Sequence, residues 1–185
     1  MKRSMLLLCI LCLLLICAAC GNNEAAEPGS DTDPSAEEIT VGVVCHAALV
    51  NVRLEPDADS RIISTALRGM MFQVLDYNEE DEWHRIICGG DTAYINGAYL
   101  SVTKWEKGSS VTIGTVYGTD GVVSVFAEKN TGSAQVIGAL KGEQFLVTQN
   151  LSDQGWYKVS TPDGGGYIRA EYLRTKTDSI ENLLS

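Results

Sequence analysis

An internal repeat limits what this chain can fold into more than any other feature of its sequence. When residues 51–100 are laid over residues 124–173 without a gap, 13 positions are identical. In the first copy these are Val52, Glu55, Ser60, Ala66, Leu67, Gly69, Phe72, Val74, Trp83, Tyr94, Ile95, Tyr99 and Leu100. Self-similarity at one fixed spacing indicates duplicated structural units. We therefore expect two homologous domains, repeat 1 at 39–103 and repeat 2 at 110–174.

Both repeats are built from short runs rich in Val, Ile, Phe and Tyr, with turn residues between them, as in small antiparallel β-domains. Gly69 and Gly142 stand at equivalent turns, and the hairpin signals are Gly89-Gly90-Asp91 and Pro162-Asp163-Gly164. Neither repeat shows a helical period. The strands expected in repeat 1 are Thr40–Cys45, Asn51–Leu54, Ile62–Ala66, Met71–Tyr77, Trp83–Cys88 and Ala93–Ile95. The fold class is therefore all-β, with two small β-barrels in tandem.

The ordered motifs of the repeats resemble the bacterial SH3 domain, whose pattern runs from an Asn-Val-Arg strand to a closing Tyr-Leu. Repeat 1 carries Asn51-Val52-Arg53, Pro56, Leu67-Arg68-Gly69, Trp83-His84-Arg85-Ile86, Tyr94-Ile95 and Tyr99-Leu100. Repeat 2 carries Leu140-Lys141-Gly142, Trp156-Tyr157-Lys158-Val159, Gly166-Tyr167-Ile168 and Tyr172-Leu173. Repeat 2 departs from the pattern at its start, with Ser124-Val125-Phe126 and with Lys129 in place of Pro56. The resemblance implies two SH3-like barrels that act as binding modules.

The same resemblance implies which side chains meet a ligand. The candidates are Asn51, Arg53, Trp83, Tyr94, Tyr99, Trp156, Tyr167 and Tyr172. For each aromatic residue the alternative is packing in the core or at the barrel seam. Arg53 can grip a peptide carboxylate, or it can pair with Glu55 or Asp57 at the surface. Trp105 has no counterpart in repeat 2, so we expect it to pack between the repeats.

The N-terminus has the layout of a secretory signal. Lys2 and Arg3 precede an apolar run of 15 residues from Met5 to Ala19, and the sequence turns polar at Gly21. A helix that crosses a bilayer needs roughly 20 residues. The run ends in Cys17-Ala18-Ala19-Cys20, which resembles a bacterial lipobox. We expect a signal peptide at 1–19 and lipid on Cys20, which anchors the protein to the extracytoplasmic face of the cell membrane.

The next segment, 21–38, has no large apolar side chain, so it cannot bury enough surface to offset the entropy of ordering. We interpret 20–38 as a lipid-anchored flexible linker and 175–185 as a C-terminal tail. Without residues 1–19 the chain carries 12 Lys and Arg against 24 Asp and Glu, a net charge of −12. Such a surface argues against nucleic acid as a partner.

The sequence offers no convincing catalytic constellation or metal site. The Cys and His residues of the repeats all fall in repeat 1, as Cys45, His46, Cys88 and His84. His84 and Cys88 lie four apart on one strand, roughly 13 Å between Cα atoms, which one zinc ion cannot bridge. Cys45 and Cys88 either form a disulfide, which an exported compartment permits, or remain buried thiols. We expect no enzyme activity and no cofactor.

Taken together, these patterns predict a lipid-anchored binding protein of the cell envelope. Its expected ligand is peptidoglycan or the stem peptides of peptidoglycan. The alternative is an accessory subunit that presents its SH3-like domains to a protein partner in the envelope.

Overall fold

The computed structural model describes residues 37–78 and 82–184. The expected signal peptide, Cys20 and the linker as far as residue 36 lie outside the described residues. The first strand begins at Glu38, at the end of the range assigned to the linker. None of the helices in these described ranges is both long and apolar enough to cross a membrane.

The described chain is almost entirely β-structure, which confirms the predicted fold class. Repeat 1 contains β1 (Glu38–Val44), β2 (Leu49–Arg53), β3 (Ile62–Leu67), β4 (Met71–Asn78), β5 (Trp83–Cys88), β6 (Asp91–Asn96) and β7 (Leu100–Glu106). Repeat 2 contains β8 (Ser110–Val116), β9 (Val123–Phe126), β10 (Gln135–Ala139), β11 (Gln144–Leu151), β12 (Trp156–Thr161), β13 (Gly164–Arg169) and β14 (Leu173–Ser179), followed by helix α1 (Ile180–Leu184).

The two repeats share one topology. Repeat 1 forms a seven-stranded sheet in the order β3-β2-β6-β5-β4-β1-β7, and repeat 2 forms the equivalent sheet β10-β9-β13-β12-β11-β8-β14. All of these strand pairs are antiparallel. The register shifts between Val74 and Asp76 in β4 and at the homologous positions Val147 and Gln149 in β11. Such a bulge bends a strand. It lets β4 pair with β1 at one end and with β5 at the other.

Each repeat has its own apolar core, and the core explains many of the identities between the repeats. Val52, Ala66 and Ile95 are fully buried in repeat 1, as are their counterparts Val125, Ala139 and Ile168 in repeat 2. Phe72 and Phe145 complete the equivalent clusters. Much of the repeat pattern therefore records the packing of two minimal barrel cores.

A third apolar cluster joins the repeats. It consists of Ile39 and Val41 from β1, Val111 from β8 and Ile180 from α1. Trp105 packs against it, as expected, together with Leu183 and other half-buried apolar residues. Both repeats therefore lie in one compact unit.

This shared cluster corrects two of the predicted boundaries. Strand β7 runs to Glu106 and β8 begins at Ser110, so half of the six residues between the expected repeats 39–103 and 110–174 are strand, with Trp105 paired with Ile39. Residues 175–184 are not a tail, because β14 continues to Ser179 and α1 follows with Ile180 fully buried. The apolar spacing Ile180, Leu183, Leu184 fits one helix face, which the sequence analysis did not recognise.

The two equivalent turns at Gly69 and Gly142 also lie at this interface. The Gln144 backbone N–H donates to the Arg68 carbonyl at 2.8 Å, so the two turns contact each other directly. A Cβ on Gly69 would lie 1.8 Å from the Gln144 carbonyl oxygen, and φ at this residue is +82°. Only glycine satisfies both the left-handed conformation and the close approach.

One buried ion pair crosses the interface. The Arg68 Nη1 donates to Glu143 Oε2 at 2.9 Å, and the Glu143 side chain is fully buried. Burial raises the pKa of Glu143, and the nearby Arg68 charge only partly opposes this. Met70 stands at the equivalent position of repeat 1, so the pair belongs to the interface rather than to the repeat itself.

Candidate ligand grooves

Repeat 1 carries a groove between the start of its second strand and the turn after its sixth. This groove 1 has a volume of about 300 Å³ and is lined by Leu49, Val50, Asn51, Arg53, Ala58, Trp83, Asn96 and Tyr99. The fold therefore brings together Asn51, Arg53, Trp83 and Tyr99, four of the residues that the family resemblance singled out.

Repeat 2 carries the same groove. Groove 2 has a volume of about 540 Å³ and is lined by Thr119, Val122, Val123, Ser124, Phe126, Thr131, Arg169, Glu171 and Tyr172. All of these except Thr119 and Glu171 occupy the positions 73 residues after lining residues of groove 1. Two cavities at homologous positions are a property of the fold, whereas their chemistry is set by the side chains that differ.

The two tryptophans are mainly core residues, and only Trp83 itself lines a groove, whereas Trp156 packs behind two lining residues of groove 2. Trp83 is 8% exposed and Trp156 is 6% exposed. Trp83 lines groove 1. In repeat 2 the Trp156 ring lies edge-on to Phe126, with 5.9 Å between centroids, and beneath the Arg169 guanidinium at 5.2 Å. Both roles considered for these residues, packing and groove contact, are thus compatible with where they lie.

The four tyrosine candidates separate into two classes. Tyr99 is 40% exposed and lines groove 1, and its counterpart Tyr172 lines groove 2. Tyr94 and Tyr167 line neither groove. Tyr94 lies in β6 opposite Arg53 and Arg85, and the Tyr167 ring packs under the Lys158 ammonium at 5.9 Å. Tyr99 and Tyr172 are the tyrosines placed to meet a ligand.

Arg53 is engaged by its own repeat. Its Nη1 donates to the Ser60 carbonyl at 2.6 Å and so ties down the loop 54–61. Among the described residues it forms no ion pair with Glu55 or Asp57, the partners considered from the sequence. Within this loop the Ser60 hydroxyl accepts the Glu55 backbone N–H at 2.9 Å, and Ser133 does the same for Glu128 in repeat 2. This bond explains why Ser60 and Ser133 are identical.

Arg169 is a groove residue that the sequence analysis missed. It stands at the position of Asn96, whose side chain instead accepts the Ala98 backbone N–H at 3.0 Å. The Arg169 Nε donates to Glu171 Oε1 at 3.3 Å. The available signal was the replacement of Asn96 and Ala98 by Arg169 and Glu171 in the repeat alignment.

The two domain cysteines are free thiols in the structure, without the disulfide considered for them. Burial raises the pKa of the Cys45 thiol, which donates to the Tyr99 carbonyl at 3.7 Å. A raised pKa makes a thiol a weak nucleophile. Cys88 packs against the core of repeat 1.

His84 also occupies a packing position. Burial lowers the pKa of His84, whose ring lies 4.4 Å from the Tyr77 ring. In the part of the chain that the structure describes, no three His, Cys, Asp or Glu side chains form a metal-binding group.

Comparisons with solved structures give weak similarities. The chain is similar to NlpC2 from Trichomonas vaginalis, with 15% identity and a TM-score of 0.32 over 75% of this chain and 48% of that one. It is also similar to NlpC1 from the same organism, with 16% identity and a TM-score of 0.31 over 75% and 46% of the two chains. The CBD of endolysin LysPBC5 matches with 11% identity and a TM-score of 0.28 over 75% and 94%. The chain thus spans about half the length of the two NlpC structures.

The sequence comparisons are more decisive. A search of curated proteins found no match. The family model of the bacterial SH3 domain matches residues 48–101 and 121–174, which agrees with the repeat and with the motifs in both halves. These two matches cover more than half of the 185 residues. The chain therefore belongs to the bacterial SH3 domain family.

Proposed function

We propose that this protein is a binding protein of the bacterial cell envelope whose two grooves recognise peptidoglycan or its stem peptides. The observation that carries the proposal is the recurrence of one groove at homologous positions of both repeats, each lined by a tyrosine, Tyr99 in groove 1 and Tyr172 in groove 2. Concave sites with aromatic walls and a few polar groups are the usual form of a ligand site. The family, whose members serve as binding modules, supports the same role.

We also propose that the protein is anchored by lipid on Cys20 at the extracytoplasmic face of the membrane. This rests on the apolar run, the small residues before Cys20 and the polar switch at Gly21. The anchor would place both grooves near the wall, because a linker from Gly21 to Glu37, if flexible as its composition predicts, would span roughly 25 Å. At a net charge of −12 the mature chain would need specific contacts to hold an anionic wall polymer.

A non-enzymatic role is part of the proposal. It is supported by the placement of Cys45, Cys88 and His84, which are buried or half-buried in repeat 1, whereas His46 is exposed. Cys45 has a raised pKa and His84 a lowered one, both because of burial. Neither change activates a nucleophile in the way that a catalytic Cys–His pair requires.

A protein partner is the second candidate, and one surface feature favours it. Strand β3 lies at the edge of the first sheet, with Ile62 49% exposed and Ile63 38% exposed. An apolar edge strand can accept an added strand from another polypeptide. In the equivalent strand of repeat 2, Gln135 replaces Ile62.

Binding to purified sacculi tests the proposal and separates it from this second candidate. The double variant Tyr99→Ala with Tyr172→Ala removes the tyrosine ring that lines each groove and should reduce retention on sacculi several-fold. Tyr77→Ala is the matched control, because Tyr77 is 48% exposed and lies outside both grooves. Retention that survives protease treatment of the sacculi supports a glycan or stem-peptide ligand. Loss after protease, or retention indifferent to both groove tyrosines, would contradict the proposal.

A further inference from the structure

The two grooves differ in one respect that bears on ligand chemistry, namely where a guanidinium is available. Resting on the proposed function, we infer that groove 2, rather than groove 1, recognises a carboxylate of a peptide ligand, with Arg169 as the binding group. Groove 1 then takes the neutral part of such a ligand. This division is the reverse of what the Asn-Val-Arg motif of repeat 1 suggests.

In groove 1 the only guanidinium is already in use. The Arg53 Nη1 donates to the Ser60 carbonyl at 2.6 Å, and Arg53 is half-buried. To turn toward a ligand it would have to leave that carbonyl without its partner and release the loop 54–61. The other polar side chains of the groove are Asn51 and Asn96, which carry no charge.

In groove 2 the guanidinium comes from the opposite wall. Phe126 replaces Arg53, and Arg169 replaces Asn96 at the end of β13. The Arg169 side chain lies over the Trp156 ring, 5.2 Å from its centroid, and the Trp156 ring also meets Phe126 edge-on. Stacking on an aromatic face holds a guanidinium plane in place. In groove 2 these two replacements therefore place a guanidinium over Trp156, an arrangement that repeat 1 lacks.

The terminal nitrogens of the Arg169 guanidinium are available to a ligand. Its only hydrogen bond in the described residues runs from Nε to Glu171 Oε1 at 3.3 Å, which leaves both terminal nitrogens without a protein acceptor. A guanidinium with two free N–H-bearing nitrogens matches a carboxylate bidentately. The side chains of Arg169 and Glu171 are 39% and 58% exposed. Exposed pairs of this kind are weak, so a ligand carboxylate can compete with Glu171.

Substitution of Glu171 tests the inference, because the sign of the change in ligand affinity can be predicted. If Arg169 receives a carboxylate, Glu171 acts as an internal competitor and repels the ligand. Glu171→Gln should then tighten binding of a carboxylate ligand by a few-fold, which a merely structural role for the pair would not predict. Arg169→Gln should weaken it roughly tenfold, since charge-assisted bonds to carboxylates are the strong class. Arg169→Lys keeps the charge but cannot bind a carboxylate with two nitrogens. Its affinity should lie between that of the unmodified protein and that of Arg169→Gln.

The experiment is an NMR titration of the labelled chain from residue 21 onward, read at the indole N–H signals of Trp83 and Trp156. The probes are N-acetyl-L-lysyl-D-alanyl-D-alanine as the free acid and as the C-terminal amide, which differ only in the carboxylate. We expect the acid to bind near Trp156 roughly tenfold more tightly than the amide. At Trp83 the two probes should behave alike. Lys176→Gln is the matched control, because it removes one exposed cation of repeat 2 outside the groove.

The outcomes separate this inference from the proposed function. Equal effects of acid and amide at Trp156, or an acid preference that survives Arg169→Gln, would overturn the inference and leave groove binding intact. An acid preference at Trp83 would assign the carboxylate to groove 1 and overturn it as well. If neither probe moves either indole signal, both the inference and the stem-peptide reading of the grooves are wrong.

Discussion

Replacing Ile180 by alanine tests whether the two repeats unfold together. Ile180 is fully buried at the start of α1, where it meets Ile39 and Val41 of repeat 1 and Val111 of repeat 2. Removing three side-chain carbons from a buried isoleucine costs about 2–5 kcal/mol, depending on how far the site collapses. Because this site is enclosed by strands from both repeats, we expect a loss in the middle of the range, about 3–4 kcal/mol.

The assay is urea unfolding of the chain from residue 21 onward, followed by tryptophan fluorescence. Trp83 and Trp156 lie in separate repeats and Trp105 packs against the shared cluster, so single-tryptophan variants report each region by itself. Ile180→Ala should lower the free energy of unfolding seen by all three probes, with Tm falling by roughly 10 °C. The control is Val122→Ala, since Val122 is 64% exposed and should change stability by less than about 0.5 kcal/mol.

Two results would refute the reasoning. A loss below about 1 kcal/mol would mean that the cavity collapses or that α1 contributes little. A lower urea midpoint reported by Trp156, with no change in the midpoint reported by Trp83, would mean that each repeat unfolds independently around its own core. In that case the shared cluster would orient the repeats without coupling their stability.

Three further predictions follow from the same structure and sequence. Cys20→Ala should leave an unprocessed precursor or release the protein from the membrane, and unchanged mass together with unchanged fractionation would contradict lipid attachment. Phe126→Ala should destabilise repeat 2 by about 2 kcal/mol in urea unfolding, because the half-buried ring loses its edge contact with Trp156 at 5.9 Å; a change under about 0.5 kcal/mol would mean that the ring is effectively exposed. Burial raises the pKa of Glu143 above its ordinary 4.5. Protonation of Glu143 therefore stabilises the folded state fully below pH 4.5, and this stabilisation is lost as the pH rises through the pKa of Glu143 in the folded protein. Glu143→Gln should remove this component, and equal slopes of urea midpoint against pH in both proteins would show that another group carries it.

The fold was predictable from the sequence because the repeat identities are largely core positions. Val52, Ala66 and Ile95 recur in repeat 2 since a barrel of this size has few ways to fill its centre. Glycine recurs at 69 and 142 because the turn requires a positive φ. These constraints act within about 60 residues of chain, so a comparison of one repeat with the other is enough to find them.

The interface between the repeats was not predictable in that way. Trp105 was expected there, but Glu143 and Ile180 have no equivalent in the other repeat and carry no signal that a comparison of the repeats detects. Glu143 is the clearest case. A carboxylate in a polar turn is expected at the surface, yet here it is fully buried because the Arg68 guanidinium of the other repeat supplies its partner.

The site shows a subtler limit of position-by-position comparison. Strands β9 and β13 are hydrogen-bonded neighbours, so side chains near the ends of both strands line the same groove. A guanidinium can therefore enter it from either strand. The alignment records the loss of arginine at Phe126 and treats Arg169 as an unrelated change, although the two positions belong to one cavity. Predicting ligand chemistry for such repeats requires that all lining positions be compared as a set, because the groove, rather than any single residue, is the unit that duplication preserved.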